Sequence, residues 1–439
     1  VADDGNLIGP SINKEQYNGL VHLWQTRDNK TTQIDWDNIY AANIANNYNN
    51  PDGSARYIVE RRHNDIQEAI ASINYTNTQF DHLKMTLGLE GKYSQGIHYK
   101  TIDDLLGANQ WIDIDAFADR DIKELATNGG FTQADIANVR QNEIAEDYDE
   151  KITNTSRRFG YDYRINMANA KAWFQNEWSF NEVDLYYALQ LEYNMMQRST
   201  NMLNGRAWYL TKVAEERTGV NPWKYYGHAA YEQIKAAEAN GTLHAGTNYL
   251  GDAHHFLDPG FKFGAKYKID GRNNIKVNAL AETRTPYARD AYISQRVHDR
   301  AVDNIYTHDN AQNLKEFYAA SEKVASVDLT YEFNYPIVRG RLTGFFTQSW
   351  NGTELNGYYD DEARTFVNQA MTGIDKRHMG IEAAVAVKLG TYFTLTGVAS
   401  IGDYRYTSDA ISISSAENGM PMTQDLVTKE LVFETRDKV

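Results

Sequence analysis

Val183-Asp184-Leu185-Tyr186-Tyr187-Ala188-Leu189-Gln190-Leu191-Glu192-Tyr193-Asn194-Met195 decides the fold. Val183, Leu185, Tyr187, Leu189, Leu191, Tyr193 and Met195 alternate with Asp184, Tyr186, Ala188, Gln190, Glu192 and Asn194. Period 2 marks a β-strand whose two faces meet different surroundings. Strands in soluble sandwiches average roughly five or six residues. A tilted strand needs about 9–11 to cross hydrocarbon, and this run reaches that length.

The same pattern recurs on both sides. Leu83, Met85, Leu87, Leu89 and Tyr93 alternate with Lys84, Thr86, Gly88, Glu90 and Lys92. Phe261, Phe263, Ala265, Tyr267 and Ile269 oppose Lys262, Gly264, Lys266 and Lys268. Ala325 to Tyr335 and Met379 to Leu389 repeat the alternation. Each run has a neighbour across a short turn. Tyr57–Tyr75 leads into Leu83, and Tyr161–Trp178 leads into Val183. Asp270-Gly271-Arg272-Asn273 is a hairpin signal before Ile275–Thr283. Pro336–Gly340 precedes Leu342–Ser349, and Gly390-Thr391 precedes Phe393–Tyr406.

The opposite ends are joined by long connections, at Ser94–Gly160, Arg198–Phe256, Arg284–Glu322 and Trp350–Gly373. Structureless loops beyond about 12–15 residues are uncommon in compact domains. Tight turns at one end and long loops at the other describe an antiparallel up-and-down transmembrane β-barrel. In lipid every backbone polar group must be paired, so such a sheet must close and its strands must span. Two helices are expected inside the loops. Thr132 and Asp135 resemble a capping box before Ile136, Val139 and Ile144. Asn221-Pro222 opens a second, with Ala229, Ala230, Ile234 and Ala237 inside and Gly241 as its stop.

Composition agrees. The 439 residues include 30 tyrosines but only 7 prolines. Tyrosine suits strands and the lipid–water boundary, where a ring keeps an apolar body and a wet tip. It equally suits a Tyr-rich soluble β-protein such as a glycan-binding module. With no cysteine, disulfides and thiolate chemistry are excluded. A net charge of −15 disfavours a nucleic-acid partner. No apolar run approaches the roughly 20 residues of a membrane-spanning helix, and a mean hydropathy of −0.63 is ordinary for alternating barrel strands. The opening Val1-Ala2-Asp3-Asp4-Gly5 has neither the basic nor the apolar region of a signal peptide.

Several stretches resemble the barrel part of TonB-dependent outer-membrane receptors, from about Ala55 to Tyr406. They include Ala55-Arg56-Tyr57-Ile58, His98-Tyr99-Lys100-Thr101-Ile102-Asp103-Asp104-Leu105-Leu106-Gly107, Phe159-Gly160-Tyr161-Asp162-Tyr163, Glu282-Thr283-Arg284-Thr285-Pro286 with Asp290-Ala291-Tyr292, Phe333-Asn334-Tyr335-Pro336, Gly380-Ile381-Glu382-Ala383 and Ser414-Ser415-Ala416-Glu417-Asn418-Gly419. No single stretch is a strong motif, and the weight lies in their order and number. The resemblance implies a barrel of about 22 strands with a plugged lumen. It also implies nutrient import, a bacterial outer-membrane location and the TonB–ExbB–ExbD complex as partner. Ten or eleven strands are visible by pattern. Neither a plug domain nor a TonB box is recognised ahead of them. The end, Phe433-Glu434-Thr435-Arg436-Asp437-Lys438-Val439, lacks the terminal aromatic of such barrels. The chain therefore reads as an internal portion of a longer receptor, whose plug and remaining strands lie outside it.

No catalytic constellation, phosphate-cradling loop or paired-histidine zinc helix is present, so an enzyme is not expected and no cofactor is implied. Candidate ligand-binding residues are the loop aromatics Trp111, Trp208, Trp223, Tyr225, Tyr226 and Trp350. Aromatic rings stack on flat ligands, but they also pack long loops into small cores of their own. His254 and His255 are further candidates, and as neighbours on a strand they point to opposite faces. Asp113, Asp115, Asp119 and Asp121 offer hard oxygen ligands for calcium without the turn glycine and bidentate glutamate of an EF-hand. Trp178, Phe180, Tyr335, Tyr392 and Phe393 flank the tight turns as an interfacial girdle, and Glu90, Glu192, Asp328, Glu332 and Glu382 face the lumen. Three functions follow from this reading. One is import of a siderophore, haem, cobalamin, peptide or oligosaccharide. The second is a structural or accessory subunit of an outer-membrane complex, with a surface lipoprotein as partner. The third is a soluble carbohydrate-active β-protein, which requires two convergent carboxylates in a cleft.

Overall fold

The computed structural model describes residues 13–49, 53–115, 137–205, 208–209, 228–292, 305–310, 313–318, 320–360, 365–416, 423–424, 431–432 and 434–438. Among them one antiparallel sheet of 12 strands dominates. In chain order they are β1 (Val59–Phe80), β2 (Leu83–Asp104), β3 (Arg158–Ser179), β4 (Val183–Thr200), β5 (Tyr249–Lys268), β6 (Asn273–Arg284), β7 (Glu322–Asn334), β8 (Val338–Asp360), β9 (Thr365–Leu389), β10 (Phe393–Tyr406), β11 (Ile411–Ala416) and β12 (Glu434–Lys438). Neighbours in sequence are neighbours in the sheet. β10 and β11 pair the two halves of β9 in turn, so they act as one interrupted strand, and β12 pairs β11. Among the described residues β1 and β12 do not pair with each other, and the sheet is open.

The chain forms two compact units, Val1–Arg61 with Thr101–Asp113 and Asp149–Arg157, and Arg62–Lys100 with Ile114–Tyr148 and Arg158–Val439. In the first, α1 (Lys14–Gln25) opens on a capping box between Asn13 and Gln16, followed by α2 (Asn29–Thr32) and α3 (Trp36–Asn49). Asn43 of α3 is fully buried. Its amide donates to the carbonyls of Tyr57, Leu105 and Leu106, while its oxygen accepts from the Arg56 and Tyr57 N–H groups. These three helices carried no recognised signal in the sequence.

The alternation predicted from sequence is the alternation observed. Leu87, Leu89, Tyr93, Leu189, Leu191, Tyr193, Phe261, Tyr267, Leu329, Tyr331, Ile381 and Val385 are exposed on one face. The opposite face carries the charged and amide series, tied by pairs such as Lys276 Nζ to Glu332 Oε1 at 2.7 Å and Asn278 Nδ2 to Asp328 Oδ1 at 2.9 Å. This polarity is inverted relative to a soluble protein, which hides its apolar face. It is the construction of a transmembrane barrel wall. Short turns join β1–β2, β3–β4, β5–β6, β7–β8 and β9–β10 at one end. In the β5–β6 turn Asp270 Oδ1 accepts from the N–H groups of Arg272 and Asn273 at 2.7 and 2.8 Å, and these bonds hold its carboxyl below the usual range. Phe180, Tyr335, Tyr392 and Phe393 are exposed beside these turns, as an interfacial girdle requires.

Three expectations change. Trp350–Gly373 is not a loop: β8 and β9 pair beyond it, from Thr353↔Thr372 to Asp360↔Thr365, past a bulge at Ser349–Gly352. Beyond the hydrocarbon both faces are wet, so alternation fades while the ladder continues. For the same reason β2 runs on to Asp104 where a loop was expected from Ser94. The helix expected around Ile136 and Val139 is helical over 137–139 and turns at Arg140, so Ile144 lies outside it; Thr132, Asp135 and Ile136 fall outside the described residues. The second helix, α4 (His228–Ala239), ends as predicted: Gly241 has φ +65°, and Thr242 N–H bonds to the Ala237 carbonyl at 2.9 Å. Asn221 and Pro222 lie outside the described residues.

Candidate functional site

The wet face of the sheet carries a concave cavity of about 760 Å³ lined from β2 to β9. Its floor is a continuous chain of polar contacts. Lys171 Nζ lies 3.6 Å from Glu192 Oε2, and Asn169 Nδ2 donates to Glu192 Oε1 at 2.5 Å and Asn194 Oδ1 at 2.8 Å. Asn194 Nδ2 then donates to Asp258 Oδ2 at 3.2 Å. Farther along the wall Lys376 pairs with Glu354. Such a network fixes each side chain through its neighbours.

Asp258 is the junction. It is buried, and besides the Asn194 amide it accepts the hydroxyls of Thr283, at 2.9 Å, and Thr285. The β5–β6 ladder ends at Gly260↔Glu282, and the next position holds Pro259, which has no N–H to offer. The chain leaving β6 is thus released from its partner on that side. Residues 285–292 fold over the wet face, where Ala291 and Tyr292 are buried with Tyr163, Ile165, Met196 and Phe256. The ring of Tyr292 meets that of His254 edge-on at 6.0 Å. The wall therefore changes character along its length, from an apolar patch under this arm to the polar floor beside it.

The sequence candidates are distributed as follows. His254 faces the arm, and His255 faces the other way, its Nδ1 at 2.7 Å from the Tyr193 hydroxyl. Trp208 is fully buried, 5.5 Å from the Tyr231 ring, and Leu203 and Ile234 are also buried. Trp350 stands exposed on β8, and Trp111 pairs with Ile152 in a short ladder. Asp113 and Asp115 are both buried and fall in different units, their N–H groups bonded to the carbonyls of Glu150 and Arg140 at 2.8 and 2.7 Å. Trp223, Tyr225, Tyr226, Asp119 and Asp121 lie outside the described residues. No group of metal-binding side chains occurs among the described residues. Thus Glu90 and Glu192 line the cavity, and His254 lies against Tyr292 of the arm. Asp258, Thr283, Thr285, Tyr287 and Arg289 were missed as site residues. The Glu282–Pro286 stretch with Asp290–Tyr292 and the Asp258-Pro259-Gly260 break were the available signals.

Between β2 and β3, Glu143 is buried, with Oε1 accepting from Ala145 N–H at 3.1 Å and Oε2 from Leu203 N–H at 3.2 Å. Burial outweighs these bonds and pushes its carboxyl up to about 8. Asp147 moves the other way, held low by the Ala245 N–H.

No family profile and no curated protein matches the chain. Solved structures do. The copper transporter OprC matches with a TM-score of 0.46 and 11% identity, covering 81% of this chain and 41% of that one. The FrpB iron transporter from Neisseria meningitidis gives 0.39 and 10%, covering 80% and 39%. The ferric-catecholate import receptor Fiu from E. coli K12, in its closed form, gives 0.37 and 11%, covering 85% and 48%. The chain spans about two fifths to one half the length of these proteins. Two are named as transporters and one as an import receptor.

Proposed function

We propose that this chain is part of the wall of a bacterial outer-membrane receptor that binds a nutrient at its loop end and passes it along the wet face to the periplasm. The observation that carries this reading is the pairing of opposites in one sheet. One face presents apolar side chains to hydrocarbon, and the other presents a concave, hydrogen-bonded polar floor at which a solute can exchange contacts. The wall performs no covalent step. On this reading a plug segment outside the chain fills the lumen and the TonB–ExbB–ExbD complex supplies the work of moving it. The paired charges of the floor suit passage, since weak and repeated contacts let a solute leave as well as enter.

The test is twofold. The full-length protein should partition with the outer membrane and show heat-modifiable gel mobility. A deletion strain should lose uptake of at least one small nutrient and regain it on complementation. A soluble protein would end the wall reading. Membrane partitioning with intact uptake, together with a copurifying lipoprotein, would support an accessory subunit instead.

A further inference from the structure

The arm over the cavity is anchored at both ends and presents its middle. Thr283 and Thr285 hold it to Asp258, and Ala291 and Tyr292 are sunk into the apolar patch. Between these anchors Tyr287 is 74% exposed. The ion pairs of this region are asymmetric. The Arg284 side chain is 50% exposed while its partner Glu282 is 15%, and Arg289 is 79% exposed while Asp290 is 14%. The guanidinium groups are the exposed members of these pairs and the carboxylates the covered ones; the rest of the cavity mixes Glu90, Glu192, Glu322 and Glu354 with Lys92, Lys171, Lys262 and Lys376, so the exposed positive charge of the arm is local to it. Arg289 also lies 5.7 Å from the Tyr287 ring. Glu282, Arg284, Tyr287, Arg289 and Asp290 line the cavity.

We propose that Arg284, Tyr287 and Arg289 form a reading group for an anionic ligand, one bearing carboxylate, phosphate or sulfonate oxygens, and that Asp258 is the residue that positions it. Arginine presents a rigid fork of donors to anionic oxygens, and tyrosine adds contact area at low entropic cost. Anchoring the arm at Asp258 supplies the ordering before the ligand arrives. This deepens the import reading by naming a substrate class and rests on it for its biological meaning, but its test does not depend on uptake.

The chain has no cysteine, so Tyr287→Cys places a single thiol in it. Cells displaying the full-length receptor are labelled with two small reagents, the anionic sulfonatoethyl and the cationic trimethylammonioethyl methanethiosulfonates. Rates are corrected for the unsubstituted parent and referred to free cysteine. At low salt the anionic reagent should be favoured by about three- to tenfold, as expected for a thiol beside two exposed guanidinium groups. The preference should vanish when Arg284→Ala and Arg289→Ala are added, persist with the corresponding lysines, and fall at least about twofold with Asp258→Asn, which keeps both arginines but loosens their support. Should Asp258→Asn lose heat-modifiable mobility, Thr285→Val removes one donor to the same carboxylate and takes its place. A ratio near one in the Tyr287→Cys protein, or one indifferent to the arginines, overturns the anionic reading. A ratio indifferent to both Asp258→Asn and Thr285→Val overturns the positioning role. Absence of any uptake phenotype would count against import and leave the labelling result standing.

Discussion

Asp258 and Glu143 are both buried carboxylates, and the difference between them lies in what surrounds each. Asp258 accepts two hydroxyls and an amide from three separate side chains, so its burial is compensated and it ties β4, β5 and the arm together. Glu143 is held by backbone N–H donors, and burial pushes its folded carboxyl up to about 8 from 4.5. Between those values the folded loop holds a proton that the opened loop releases. The stabilisation is complete below about 4.5 and is lost as pH rises through about 8. Each unit of separation corresponds to about 1.4 kcal/mol. Hydrogen exchange of the Ala145 and Leu203 amides, corrected for intrinsic rates, should therefore show local opening easing by up to a few kcal/mol between pH 5 and 9 in the parent. Glu143→Gln should flatten that slope. A parent profile already flat would place the carboxyl in its ordinary range.

At the scale of elements, legibility follows the contrast between the two faces. Where one face meets hydrocarbon and the other water, as at Leu189 and Gln190, alternation is enforced at every position and the strand could be read directly. Where both faces are wet, as along β8 beyond Trp350, nothing enforces it, and the strand read as a loop although its ladder continues to Asp360. The arm was missed for another reason. The Asp258-Pro259-Gly260 break marks the position in the sequence, but only the spatial approach of Thr283 and Thr285 shows what Asp258 holds. Neighbouring substitutions test the polarity itself. Leu189→Arg places a charge in hydrocarbon and should destabilise the folded protein by about 2–4 kcal/mol, whereas Gln190→Arg on the wet face should cost less than about 1. Denaturant midpoints of the full-length protein refolded into vesicles measure both. Equal costs would show that the two faces share one environment.

For the molecule as a whole the rows of exposed apolar side chains are the telling feature. Leu189, Leu191, Leu329, Ile381 and Ile401, on strands of one sheet, are 49–80% exposed. Exposed apolar patches beyond a few hundred Å² mark an interface with something other than water. Burying one such side chain is worth about 1.5–3 kcal/mol, so several left wet would cost as much as the stability of an ordinary domain. The wall must therefore be covered by lipid, by detergent or by further strands. Dilution of the detergent-solubilised full-length protein below the critical micelle concentration should precipitate it. Transfer into lipid nanodiscs should keep it monodisperse, with light scattering reporting both outcomes. A protein that stays monomeric in plain buffer would mean that these leucine and isoleucine rows are buried against protein, and the two-faced wall would no longer stand.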